Sequence, residues 1–238
     1  MGGVLQFYQG FISPVVRNGI PLLAILLLWL GLRRAGLTPA ARRAGLAATA
    51  IVLAWYLAMD ALGRSGWLAA HWAPMRPLCW LIALFWLIPL TRSTAIRAAL
   101  DASPRWWLLA AQLYRLGGGF VWFATLAAAH RLPSAFALTA GIGDCLTGIL
   151  AVVAASCVYA DVRGARRIGI AWNVFGLLDF ATGFTLATLL PNTPSYPSAL
   201  MISAVLAPLS ADLHVLSLWQ LARAGRRDRA VAAAALAV

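Results

Sequence analysis

The sequence predicts an all-α fold: an integral membrane bundle of seven transmembrane helices, N-terminus outside and C-terminus in the cytoplasm. Three observations carry that expectation. The 238 residues are 62% hydrophobic and only 11% charged, against roughly 45–50% and about 25% in an ordinary soluble domain. So small a soluble fold has no interior large enough to hide that apolar surface, so lipid is the expected solvent. Apolar runs bounded by Arg, Pro or Gly recur seven times, and the arginines gather on alternate connecting segments.

At about 20 residues per crossing, seven helices use most of the chain and leave one transmembrane domain over 1–238, with no room for a separate soluble one. The expected helices are residues 14–32, 45–63, 76–90, 106–129, 134–159, 168–190 and 198–222. Arg17 and Asn18 interrupt the first near its start. The third is short unless residues 72–75 extend it, so six crossings with one interfacial helix is the alternative count. Ser103 and Pro104 read as the N-cap and first turn of the fourth, and Pro208 as a kink in the seventh. Residues 230–238 are apolar but too short to span, and are expected to fray or lie on the membrane surface.

All 19 basic residues are Arg and all 7 acidic ones are Asp. Having no Lys, the chain cannot perform Schiff-base chemistry. Fourteen arginines, from Arg33 to Arg229, fall on one alternating set of segments; Arg17, Arg64, Arg76 and Arg131 fall on the other, and Arg115 lies inside a helix. Short cytoplasmic loops collect Arg, which sets the orientation. Trp29, Trp106, Trp107, Trp172 and Trp219 then form an inner aromatic belt, with Trp67 and Trp72 in the outer one. The net charge of +12 is spread over several short loops on one side, which fits anionic lipid headgroups and not nucleic acid. The N-terminus carries no basic region before Arg17, so no cleavable signal is expected, and Gln6 breaks the myristoylation pattern.

Cys79, Cys145 and Cys157 are odd in number, lack C-x-x-C spacing, and read as packing residues. His71 and His130 fall near the outer surface and His214 in the last helix. Three dispersed histidines offer no axial haem pair, and no cofactor or metal is expected. Asp60 and Arg17 read as a local staple at the outer ends of the first two crossings. Asp212 and His214 read as side chains reaching the inner interface.

A charge at the bilayer centre costs roughly 2.5–3.5 kcal/mol even on a lenient scale. Counting 1.5 Å per residue, Arg115 lies about 14 Å into the fourth helix, Asp144 about 15 Å into the fifth and Asp179 about 16 Å into the sixth. All three therefore share the midplane of a core about 30 Å thick. Residues 141–148 read GIGDCLTG and residues 176–183 read GLLDFATG, two copies of G-x-x-D-x-x-T-G on helices that run in opposite directions. In each copy Gly, Asp, Thr and Gly share one helical face, so Gly141, Gly148, Gly176 and Gly183 are expected to pack helices closely, and Thr147 and Thr182 to hydrogen-bond across the contact. Such an inverted pair resembles transporter logic. Gln112 lies one turn before Arg115, and Gly117, Gly118 and Gly119 give a neighbour room to approach. The expected cluster is Gln112, Arg115, Asp144, Thr147, Asp179 and Thr182, with Asn173 nearer the cytoplasm. One Arg and two Asp leave a net charge of −1, so either a carboxyl carries a proton or a cation binds.

The runs QLYRLGGGFVW, LPSAFALTAGIGDCLTG, WNVFGLLD and LHVLSLWQL resemble an uncharacterised family of bacterial multi-pass membrane proteins over the last half of the chain. The resemblance implies that the Arg, the two Asp and the nearby glycines are the motif-bearing part, and implies no activity. The seven-helix, N-out layout is similar to that of microbial rhodopsins in topology alone, since retinal attachment needs a Lys. Two functions follow as expectations: a small proton- or ion-linked transporter or permease using the cluster, or a non-catalytic membrane protein whose Arg–Asp pair is structural and whose glycine-lined helices bind a partner or a second copy. An intramembrane enzyme on a lipid or quinone ranks below both, because neither H-E-x-x-H nor G-x-S-x-G is present.

Overall fold

Side-chain caps at Thr38 and Ser93 start two of the helices where hydropathy does not predict a start. In the computed structural model, residues 13–71, 75, 77, 78, 81, 87, 92–128, 130, 132–190 and 205–236 are described. Among them all regular structure is helical. Helix α1 is Ser13–Arg34 and runs through Pro21. Helix α2 is Pro39–Arg64, six residues longer at its start than hydropathy predicts. The Thr38 hydroxyl accepts from Ala41 N–H at 3.3 Å and Pro39 occupies the first turn, an arrangement that starts a helix despite Arg42 and Arg43. Left-handed Gly66, at φ 77°, turns the chain into the single turn α3, Trp67–Ala70. The expected third crossing falls almost wholly outside the described residues.

Helix α4, Thr94–Ala102, occupies a stretch where the sequence reading places no helix. Its N-cap is Ser93, whose hydroxyl accepts from Ile96 N–H at 3.3 Å, and it buries Ala95, Ile96, Ala99 and Leu100 against α1. Ser103 ends this helix, its hydroxyl donating to Ala99 O at 2.7 Å, and so does not open the next one.

The expected fourth crossing is broken. It consists of α5, Trp106–Ala110, a tight 3₁₀ turn at Ala111–Leu113, a wide π turn at Leu116–Phe120, and α6, Val121–Ala128. Arg115 stands at the mouth of the π turn, which spans the three glycines. Helix α7, Ser134–Tyr159, has the expected bounds, and α8, Ala165–Leu189, starts three residues early behind left-handed Gly164. Helix α9, Ala207–Leu236, runs far past residue 222, so residues 230–236 of the expected apolar tail are helical. Pro208 is its second residue and directly follows π-helical Val205 and Leu206, so the expected proline lies beside an irregular turn of the helix.

Helices α2, α7 and α8 are long and apolar enough to cross a membrane. Helix α7 turns Leu138, Ile142, Ile149 and Val153 outward, the kind of surface that lipid covers. The 3₁₀ and π turns pack on α7, α7 on α8, and α8 on α9. Those contacts enclose the polar residues.

Candidate functional site

Arg115 is 2% exposed and meets both expected carboxylates. Its Nε donates to Asp144 Oδ1 at 2.6 Å and its Nη2 lies 2.5 Å from the same oxygen. Nη2 also donates to Asp179 Oδ2. The guanidinium carbon lies 4.2 Å from the centre of the Phe180 ring. One cation thus ties the broken helix to α7 and α8, and the ion pair neutralises charges that neither helix can bury alone.

Glycines make this seating possible, though not all of those expected. A Cβ on Gly119, one turn past Arg115, would overlap the Asp144 carboxyl, and a Cβ on Gly143 would overlap that of Asp179. Both glycines are recesses for carboxylates. Gly148 serves helix contact as expected, its Cβ position 3.0 Å from the backbone nitrogen of Leu116. Gly176 is filled from outside by the His214 ring. Gly141 is buried. Gly183 meets nothing within 4 Å among the described residues, so no close helix contact is seen there.

The two threonines separate. Thr147 is fully buried, and its carbonyl accepts from Trp172 Nε1 at 3.0 Å. Thr182 is exposed and donates to Leu178 O of its own helix at 2.9 Å, so it does not belong to the cluster. Thr185 and Thr188 do the same at 2.8 Å each. Hydroxyls on an apolar outer face satisfy themselves within the helix because hydrocarbon offers no partner.

Helix α9 supplies the part that sequence reasoning missed. Gln112 Nε2 donates to Ser210 O at 3.0 Å, and the Tyr114 hydroxyl meets Ser210 Oγ. Asn173 Nδ2 donates to Gly169 O at 2.8 Å and to Ser217 Oγ at 3.0 Å, while His214 Nδ1 lies 3.0 Å from Asn173 Oδ1. An amide oxygen only accepts, so Nδ1 is the donor. His214 is fully buried, its ring centre 4.7 Å from that of Trp172 and 6.0 Å from that of Phe180. Its side chain is enclosed by α8 and does not reach the surface of the bundle as expected. The signal was present: Ser210, His214 and Ser217 stand at i, i+4 and i+7, on one face of the helix.

Four buried polar atoms around Arg115 have no protein hydrogen-bond partner among the described residues: Gln112 Oε1, Arg115 Nη1, Thr147 Oγ1 and His214 Nε2. Buried polar atoms of this kind are commonly satisfied by ordered water. Outside the cluster, Asp60 accepts from Arg64 Nε at 2.7 Å, one turn along α2; the Arg17 side chain of the expected staple lies outside the described residues, as does Cys79. Cys145 and Cys157 are half-buried free thiols.

A family described as a domain of unknown function, DUF8737, matches residues 67–222, more than half of the chain. The chain belongs to the DUF8737 family. The matched segment runs from α3 into α9 and contains every residue of the cluster, so the Arg115 site lies within the DUF8737 region whereas α1 and α2 precede it. No curated protein and no solved structure matches the chain.

Proposed function

We propose that the protein is a seven-crossing protein of the bacterial cytoplasmic membrane, N-terminus out and C-terminus in, that works as a small proton-linked permease. The observation that carries this reading is the buried triad of Arg115, Asp144 and Asp179. One guanidinium shared by two carboxylates leaves a surplus negative charge, which a proton entering and leaving neutralises and restores. The four unpartnered atoms extend the polar seam from Arg115 toward α9 and give a route for water. The π turn beside Arg115 places a bend where a moving helix needs one.

The orientation draws support from one end of the bundle. Arg34 lies over the Trp107 ring at 4.5 Å, Arg223 over Trp219 at 4.6 Å and 3.1 Å from Asp101, and Arg166 Nε donates to Leu221 O at 3.2 Å. Arginines from three separated helices thus gather with tryptophans, as a cytoplasmic face with anionic headgroups requires.

A second reading, a non-catalytic membrane assembly protein with a structural ion pair, is favoured by the close seating of both carboxylates over Gly119 and Gly143. Proteoliposomes loaded with a pH-sensitive dye separate the two. The permease reading expects the protein to speed the decay of an imposed pH gradient, and Asp179→Asn to abolish that while the fold survives. A decay rate equal to that of protein-free vesicles refutes it and leaves the assembly role.

A further inference from the structure

Asp212 stands apart from the Arg115 cluster. It is 7% exposed, no hydrogen bond or ion pair reaches it from the described residues, and it lines a cavity of about 110 Å³ between α1, α2, α4 and α9. None of Arg115, Asp144 or Asp179 lines this cavity. Its walls are almost wholly aliphatic and aromatic, and the hydroxyls among them are already committed. Thr49 donates to Gly45 O at 3.0 Å, Ser103 to Ala99 O at 2.7 Å, and Tyr56 to Asn18 Oδ1. A carboxyl buried without a donor costs free energy that a bound donor recovers. The two carboxylates of the cluster have Arg115 for that purpose; Asp212 has no equivalent among the described residues.

We propose that this cavity binds a small primary ammonium ion on an apolar stem, with Asp212 as its counter-charge. A metal cation fits poorly, because hard cations take about six oxygen ligands or keep their water, and the cavity presents one carboxyl. An alkylammonium needs one carboxylate and an apolar wall, and Trp55 and Tyr56 add aromatic faces suited to a cation. The volume sets the length of the stem. An apolar cavity of about 150 Å³ takes up benzene, so this one matches a chain of about four carbons. Asp212 lies on α9 away from the face that carries Ser210, His214 and Ser217. The site does not rest on the permease reading, and binding is measured separately from proton flux.

The test uses the full chain in neutral maltoside micelles, titrated with n-butylammonium chloride and, in parallel, with n-butanol, a neutral molecule of similar length. Binding is followed by calorimetry and by the fluorescence of Trp55 and Trp107, both in the cavity wall. The expected result is saturable ammonium binding about ten-fold or more tighter than that of the alcohol, the value of one charge-assisted hydrogen bond. Asp212→Asn is expected to erase that preference, and Ala24→Phe, which fills the cavity, to remove both ligands. Non-saturable ammonium binding, equal affinity for the alcohol, or undiminished binding in either variant overturns the proposal. The two-ligand comparison on the unmodified chain decides the matter even if Asp212→Asn does not fold.

Discussion

Arg115→Leu isolates what the shared guanidinium contributes. The substitution keeps a long apolar stem in place but leaves Asp144 and Asp179 facing each other with no cation, at side chains 14% and 10% exposed. Removing one partner of a buried ion pair costs about 3–5 kcal/mol. At about 1.4 kcal/mol per factor of ten, that shifts the folding equilibrium by roughly 10²- to 10³-fold or more. Most of the penalty comes from the two stranded carboxylates, so Arg115→Leu combined with Asp144→Asn and Asp179→Asn is expected to recover the larger part of it. Chemical unfolding in mixed micelles, followed by helical circular dichroism, measures both variants. A loss below about 1 kcal/mol for Arg115→Leu, the range of solvent-exposed pairs, refutes the buried-triad argument. So does a triple variant no more stable than the single one, because the penalty would then not reside in the carboxylates.

The glycines offer a contrast within one substitution type. Gly119→Ala and Gly143→Ala place a methyl group in a carboxylate's position and are expected to destabilise by about 1–3 kcal/mol, the usual overpacking cost; Gly183→Ala meets open space and is expected to stabilise by about 0.5–1 kcal/mol, all read by the same unfolding assay. Thr38→Ala removes the side-chain acceptor that starts α2 and is expected to cost about 1 kcal/mol, with the loss of helical signal showing fraying. For the orientation, single cysteines in a background free of Cys79, Cys145 and Cys157 are expected to react with a membrane-impermeant thiol reagent in intact cells when placed at Ser65 and not when placed at Val162. The reverse pattern inverts the proposed topology.

The meeting of Arg115 with Asp144 and Asp179 was legible because a charge in hydrocarbon is so costly that equal depth on successive helices nearly compels a pair. The bounds of α7 were legible for a related reason: no charge or helix breaker competes with its hydropathy except Asp144. Residues outside that cost argument were harder to place. Thr182 has the same motif spacing as Thr147, yet a hydroxyl that bonds its own helix four residues back needs no neighbour, so spacing alone does not turn it inward. Helix α4 is too short for a hydropathy window, although the pairs Ala95 and Ile96, then Ala99 and Leu100, repeat at the helical period. His214 was read as reaching an interface because its enclosure depends on Asn173, Trp172 and Phe180 of another helix, contacts that position along its own helix does not reveal.

Gly176 shows how differently a small residue in a membrane helix can act from the usual expectation that it lets two backbones approach. The atoms nearest a Cβ built there belong to the His214 imidazole, with Nδ1 at 3.1 Å and Nε2 nearer still. The ring has little freedom to retreat: it is stacked obliquely on Trp172, lies edge-on to Phe180, and is bonded to Asn173. Gly176→Ala should therefore expel the imidazole and break its bond to Asn173, a combined cost of about 2–4 kcal/mol from overpacking and a buried hydrogen bond. His214→Ala on its own leaves a void and an unpaired Asn173 oxygen. Once the ring is absent, the added methyl group occupies vacated space, so the double variant is expected to be more stable than the two single losses predict, by about 1–3 kcal/mol of coupling. Additive losses would mean that Gly176 is needed for backbone approach between α8 and α9. Coupled losses would mean that the glycine serves in this fold as a socket for the polar face of α9, the same use that Gly119 and Gly143 make of their missing side chains for the two carboxylates.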